Sequence, residues 1–344
     1  MLKLQDFDFN LPQNLIAQEQ ASPRDACRLM VVDRNKKVIK YDKFYNIYKY
    51  LEPGDVLVLN NSKVIPARLW GKKISGGKVE ILLLRQVGKD CWEGLVGSVP
   101  LAKQTGLEIF FSKKLRGRII ERKTDIAVIK FNLSGEKLTK EIFRIGEMPT
   151  PPYIKVKSEK LKVKNWYQTV YAKYFGSVAA PTAGMHFTKR LLQKIKKSGV
   201  KIEYITLHVG LGTFQPVKEE DITKHKMHSE FFELNKKTAD ALNEAKKSDK
   251  KIIACGTTST RVLECLTDKN GVIKAKNGNT DIFIYPGYKF KFVDHLITNF
   301  HTPKSTLLML VSAFADKKTI DNAYKLAIKK KYRFYSFGDA MLIL

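Results

Sequence analysis

The chain has 344 residues, and 62 Lys+Arg against 34 Asp+Glu give a net charge of +28; this points to a polyanionic partner, chiefly nucleic acid, although 50 of the 62 are Lys, as a solvated surface under composition bias would also show. A hydrophobic content of 44% with fourteen Tyr, nineteen Phe and three Trp excludes a disordered chain and suits one to three domains with a large buried core. No apolar run approaches the ~20 residues of a membrane span; the N-terminus with Asp6 and Asp8 is no signal peptide, and Cys27, Cys91, Cys255 and Cys265 lack zinc-module spacing, so the chain reads as cytosolic with reduced thiols.

In chain order, Arg28–Asp33 reads as a strand, Tyr45–Leu51 as a short helix, and Val56–Asn60 as an apolar strand after the turn Glu52–Asp55. Six short strand-like runs follow: Ala67–Lys72, Lys78–Arg85, Cys91–Val96, Leu107–Phe111, Arg116–Glu121 and Ile126–Phe131. With glycines between them and no convincing helix, they predict a small β-barrel or sandwich. Met148-Pro149-Thr150-Pro151-Pro152 reads as a stiff exit linker. The charge gathers here, with net +9 over 61–150 and +10 over 151–200. Uniform bias would not cluster it so, and this stretch is the expected face for nucleic-acid phosphates.

Beyond residue 165 the α/β texture returns. Thr188 can cap a helix with Leu191, Leu192 and Ile195 on one face and Gly199 as its stop. Ile202–Val209 and Lys251–Cys255 read as strands, Thr302-Pro303 opens an apolar helix, and Ile320, Ala323, Tyr324, Ala327 and Ile328 mark a last amphipathic helix. The expected fold is α/β: a discontinuous large mixed α/β domain from residues 1–62 and 150–344, with a small β-barrel domain, 63–149, inserted.

Four stretches interrupt apolar elements with small and polar residues. Gly176–Thr188 precedes a helix and lets a ligand approach backbone; a tight structural loop with one incidental His is the alternative. In Leu207–Pro216 a buried strand ends in a glycine turn, where open α/β sheets bind ligands. The dinucleotide fingerprint is absent there, and His208 could equally be a satisfied core histidine. His225–Glu230 holds His225, His228 and Glu230, but the spacing is loose for a metal, and none is expected. Cys255–Arg261 lies between strand and helix with hydroxyls and an Arg suited to a carboxylate or phosphate; it lacks the Lys of a P-loop.

Together with Arg24-Asp25-Ala26, Gly54–Asn60, Val64–Arg68, Gly77–Glu80, Pro151–Ile154, Tyr167–Ala172, Tyr285–Tyr288, Thr298–His301, Pro303–Leu310 and Gly338–Met341, these stretches resemble the S-adenosylmethionine:tRNA ribosyltransferase-isomerases of queuosine biosynthesis. The likeness is collinear from near residue 10 to the C-terminus. It departs at Lys63, Met185 and Thr302, and at Lys164–Trp166, where the family usually has a mixed-charge pair.

The resemblance implies transfer and isomerisation of the ribosyl moiety of S-adenosylmethionine onto 7-aminomethyl-7-deazaguanine at the tRNA wobble position. Epoxyqueuosine forms, and adenine and methionine leave. It also implies tRNA and S-adenosylmethionine as partners, no cofactor beyond that consumed co-substrate, no membrane, and a cytoplasmic monomer. The sulfonium acidifies the C5′ protons, so a base must sit beside it; departing adenine needs a proton or hydrogen bonds, and the attacking amine must lose a proton. Catalytic candidates are His186 and His208 as the main pair, with His301 and His228; His225 lies in a matched stretch and His295 reads as a surface residue. Thr257, Thr258, Ser259 and Arg261 are expected to hold the methionine carboxylate or a phosphate. Phe214 and Tyr285 are expected to stack on a base, and Asn299 and Gln215 to read base edges. Arg24, Asp25, Asn60, Arg68, Thr182, Thr213 and Gly256 complete the substrate-binding set. Two other classes compete. A methyltransferase would need a GxGxG turn after its first strand, which neither Arg28–Asp33 nor Val56–Asn60 has. A non-enzymatic RNA-binding protein leaves the His-bearing glycine turns unexplained.

Overall fold

The computed structural model describes residues 2–97, 105–123 (of Lys123 the backbone only), 126–154, 166–210, 217 and 219–344. The chain starts with β1 (Arg28–Asp33), β2 (Val38–Lys43), β3 (Val56–Asn60) and the short β4 (Ser62–Val64). Six strands follow: β5 (Arg68–Lys72), β6 (Lys78–Gln86), β7 (Cys91–Gly97), β8 (Glu108–Phe110), β9 (Arg116–Lys123) and β10 (Ile126–Phe131), then helix α1 (Gly135–Ile145). After β11 (Tyr174–Ser177) come α2 (Lys189–Lys197), β12 (Lys201–Leu207), β13 (Glu230–Leu234), α3 (Lys236–Lys247) and β14 (Ile252–Cys255). The remainder is α4 (Gly256–Leu266), β15 (Lys276–Thr280), β16 (His295–Asn299), α5 (Thr306–Ala315), α6 (Lys317–Lys329) and β17 (Ala340–Ile343).

Nine strands form one mixed sheet in the order β15-β13-β12-β3-β14-β16-β17-β1-β2. Its middle, β12, β3, β14 and β16, is parallel, so four strand C-termini emerge on one edge. Strand β3 is buried throughout because both faces of the sheet are covered. Val56 and Val58 join the larger core with Val262, Leu263 and the apolar α5. Leu57 and Leu59 point the other way, onto Phe44, Phe187, Leu191 and Ile195. Each such side chain contributes roughly 1.5–3 kcal/mol by burial.

The expected inserted barrel is present, closed as β10-β7-β6-β5-β8-β9. Leu69, Val79, Ile81, Leu83, Ile109, Ile119, Ala127 and Ile129 fill it, each fully buried and alternating with outward residues. Gly71 is required where β5 meets β8, since a Cβ there would lie 2.5 Å from Ile109 Cγ2. Thr188 caps α2 through Leu191 N–H (3.1 Å), and Gly199 stops it with φ +83°.

Three local expectations shift. Helix α1 has no counterpart among the expected elements; its Leu138 and Ile142 join the barrel core, a tertiary gain that outweighs a polar, Gly-initiated sequence. The short helix expected at Tyr45–Leu51 is present one residue earlier, as the 3-10 helix Phe44–Tyr50. The apolar helix starts at Thr306, because Ser305 and not Thr302 accepts the capping N–H of Leu308 (3.2 Å). Among the described residues, no helix is long and apolar enough to cross a membrane.

Candidate active site

The strand C-termini of the parallel core open into a cleft of about 330 Å³. Strand β14 delivers Gly256, Thr257 and Thr258; β16 delivers Asn299 and His301; the 3-10 turn Thr182–His186 contributes Thr182. Tyr153, Tyr335 and Ser336 close the far wall. Gly256, at φ +85°, turns the chain directly from β14 into α4. The first N–H groups of α4 therefore have no partners within the helix and attract an anion.

The hydroxyl run divides in two. Thr257 and Thr258 face the cleft, and Asn60 Nδ2 lies 3.4 Å from Thr258 Oγ1. Ser259 and Thr260 instead donate to the carbonyls of Cys255 (2.8 Å) and Gly256 (3.1 Å), four residues back along the helix. Asn299 donates from Nδ2 to Tyr335 O (3.0 Å), and its side chain also meets the buried His186 imidazole, whose charged form it favours. His301 Nε2 lies 2.7 Å from Thr298 Oγ1, and its backbone N–H donates to Tyr324 Oη (2.8 Å). Burial pushes its imidazole down to about 3 and keeps it neutral near neutral pH.

A second lobe, about 800 Å³, lies between the barrel and the large sheet. Arg85, Trp92 and Phe143 face it from the barrel side, and His208, His228 and Glu230 from the sheet side. The His208 ring stacks on Phe231 (centroids 5.9 Å, 17° between planes). It also lies over Gly176, where a Cβ would stand 2.9 Å from the ring. Partial burial lowers the His208 pKa. Its Nδ1 is buried with no hydrogen-bond partner among the described residues.

Val209 lines both lobes, and a buried ion pair connects them. Arg261 of the first lobe donates to Glu230 Oε2 of the second at 2.6 Å, with side chains only 7% and 3% exposed. The other carboxylate oxygen accepts the Gly210 N–H (2.9 Å). The carboxylate thus fixes both the guanidinium and the head of the glycine turn.

Several expected site residues stand elsewhere. His186 is in the core beside Phe44, its Nδ1 3.2 Å from Cys27 Sγ, and burial lowers its pKa to about 4. It borders neither lobe. Asp25 Oδ2 accepts from Thr188 Oγ1 (2.7 Å), and Arg24 donates to Gln168 O (2.6 Å), bracing the segments around α2. Asn60 bridges backbone, accepting from Leu207 N and donating to Leu207 O. Arg68 is on the barrel, paired with Glu80 (2.8 Å). Tyr285 packs on Phe283 (4.9 Å) and lines neither lobe. Thr213, Phe214 and Gln215 lie outside the described residues. His295 is half-buried in β16 rather than on the surface, because β16 is an interior strand. His225 pairs with Glu219 (3.0 Å), and among the described residues no three His, Cys, Asp or Glu side chains form a group that could hold a metal.

Sequence reasoning missed Tyr153 and Tyr335, whose rings meet at 4.6 Å on the cleft wall. Tyr153 lies in the Pro151–Ile154 stretch that carries part of the family likeness, whereas nothing local marks Tyr335, which takes the left-handed φ of +70°.

The chain matches the family described as "Queuosine biosynthesis protein" over residues 4–343. An S-adenosylmethionine:tRNA ribosyltransferase-isomerase of Thermoanaerobacter sp. (strain X514) is 54% identical over 347 residues, spanning all of both chains. One of Caldanaerobacter subterraneus subsp. tengcongensis is 56% identical over 346 residues, again spanning both. A crystal structure of an S-adenosylmethionine tRNA ribosyltransferase from Thermotoga maritima is 38% identical, covers 98% of this chain and 100% of its own, and superposes with a TM-score of 0.56. With this sheet, this inserted barrel and full-length matches of that kind, the chain belongs to the queuosine biosynthesis protein family.

Proposed function

We propose that the chain is an S-adenosylmethionine:tRNA ribosyltransferase-isomerase whose two lobes hold the two substrates. The ribosyl moiety of S-adenosylmethionine passes to 7-aminomethyl-7-deazaguanine at the wobble position, giving epoxyqueuosine, adenine and methionine. One observation carries this reading of the site: a nucleoside-sized cleft at the strand C-termini and a larger, barrel-flanked lobe lie on either side of Val209, with the Arg261–Glu230 pair reaching from one to the other. In this reading S-adenosylmethionine occupies the smaller lobe. Its carboxylate meets the α4 N-terminus with Thr257 and Thr258, and Asn299 borders the same cleft. The wobble base enters the larger lobe, which brings sulfonium and amine together near Val209.

The same geometry selects among the histidines. A general base works best with a pKa near the operating pH. Deep burial drives His186 and His301 to about 4 and about 3, so neither holds a proton for long. His208 is only partly buried and stands at the lobe junction, next to Val209. We assign it the proton abstraction and assign His301 a neutral hydrogen-bonding role. The chain acts as a monomer with no further cofactor in this proposal.

The test is incubation with S-adenosylmethionine and tRNA carrying the deazaguanine precursor, followed by nucleoside mass analysis. Adenine and methionine without S-adenosylhomocysteine is the expected result. A methylated base with S-adenosylhomocysteine would overturn the proposal.

A further inference from the structure

The barrel carries a second feature, away from both lobes. Strands β6, β5, β8 and β9 place four outward residues side by side in register: Lys78 opposite Lys72, Lys72 opposite Phe110, and Phe110 opposite Arg116. Trp70, two residues before Lys72, points to the same face. Trp70, Lys72, Lys78 and Phe110 border a shallow groove of about 430 Å³ whose floor is Gly71 and Phe111, and Arg116 stands outside it, opposite Phe110. Trp70 is 47% and Phe110 39% exposed, although both stand on a barrel with a filled core that has no need of them.

The surrounding charge separates two kinds of cation. Arg68, Arg85 and Arg144 are paired with Glu80, Glu93 and Glu141. No ion pair of Lys72, Lys78 or Arg116 occurs among the described residues. The two carboxylates nearest Trp70 are occupied, Glu80 by Arg68 and Glu147 by the Trp70 Nε1–H (3.2 Å). The groove therefore presents two aromatic faces flanked by uncompensated positive charge. An apolar protein partner would not call for three such cations, and a helical phosphate backbone would not call for exposed rings. Single-stranded RNA calls for both, with bases on the rings and phosphates on the cations.

We propose that this groove stacks an unpaired nucleotide of the tRNA other than the one that is modified. The inference rests on the proposed tRNA activity, and it adds a contact that holds the RNA from the barrel while the wobble base occupies the lobe.

The experiment measures binding of an unmodified tRNA transcript across a salt series, in parallel with turnover on tRNA bearing the precursor. Trp70→Ala/Phe110→Ala is expected to weaken transcript binding by about tenfold or more. The salt slope should stay the same, and kcat at saturating tRNA and KM for S-adenosylmethionine should not change. Lys72→Ala/Lys78→Ala is expected to make the slope shallower by about one unit for each phosphate no longer neutralised. Trp70→Phe keeps a stacking ring but loses the bond to Glu147, and should bind like wild type. Wild-type binding by the double aromatic variant would overturn the proposal. So would a Trp70→Phe defect as large as that of Trp70→Ala, which would assign the effect to the Glu147 contact. Loss of self-association with unchanged RNA binding would also overturn it, by assigning the face to a second copy of the chain. Because transcript binding needs no turnover, a wild-type enzyme that binds tRNA but releases no adenine would refute the reaction and leave the groove standing.

Discussion

Replacing Glu230 with Ala tests the junction of the lobes. Its carboxylate is 3% exposed and holds Arg261, itself 7% exposed, at 2.6 Å, while also accepting the Gly210 N–H. Removing one member of such a pair leaves a charge buried without a counter-charge, which costs about 3–5 kcal/mol. The orphaned Gly210 N–H adds roughly 1 kcal/mol. Glu230→Ala should therefore lower stability by about 4–6 kcal/mol. Arg261→Met should cost less, since Glu230 keeps Gly210. The double variant should recover much of the loss, because it leaves no buried charge without a counter-charge. Urea unfolding followed by circular dichroism, with adenine release on the same samples, measures both effects. A Glu230→Ala loss below about 1 kcal/mol would refute the reasoning, as would a double variant equal to the sum of the singles, since touching residues should couple.

Thr188→Ala removes the α2 cap and one partner of the buried Asp25, whose Oδ1 already has none among the described residues; a loss of about 2–3 kcal/mol in thermal unfolding is expected. His208→Ala should lower kcat by ~10²-fold or more, with recovery by added imidazole, whereas a His186→Ala defect should follow reduced stability and show no imidazole rescue. Acid should destabilise the fold through His186 and His301. Both sit below their ordinary 6.5, at about 4 and about 3, so the unfolded chain takes up protons that the native state refuses. Their contribution is complete above pH 6.5 and is lost as pH falls toward 4, at up to ~1.4 kcal/mol per pH unit for each. His301→Asn should make the pH dependence shallower between pH 6.5 and 5, where His208 and His295, also lowered by burial, still contribute, and an unchanged slope would contradict the burial argument.

The barrel was legible in the sequence because its strands alternate: Leu69, Val79, Ile81 and Leu83 point inward at period two, and no long-range information is needed to see it. Strand β3 and the α2 caps were legible for similar local reasons. What was not legible depends on partners far along the chain. The ribbon of β4 and β11 joins residues 62–64 to 174–177 and has no periodic signal. Asn60 reads as a ligand until Leu207, at the end of β12, takes both ends of its amide. His186 sits in a ligand-like glycine stretch, yet its neighbours are Cys27 and Phe44, contributed by the first strand region. Thr257 and Ser259 look equivalent in sequence; the helical turn sends one to the cleft and the other to a carbonyl.

The position of β17 has a consequence for how the chain assembles. Residues 340–343 do not close the sheet at an edge; they are wedged between β16 and β1, parallel to a strand more than 300 residues earlier. The barrel, by contrast, is built wholly from residues 68–131. During synthesis the barrel can close while most of the large sheet is still being made, so a folded module exists before any cleft does. The large sheet must wait for these last residues, and until they arrive β1 and β16 each present an open edge. A ribosome stalled just short of Ala340 would leave a protein with a finished barrel and a split sheet, exposed to aggregation along two apolar strands.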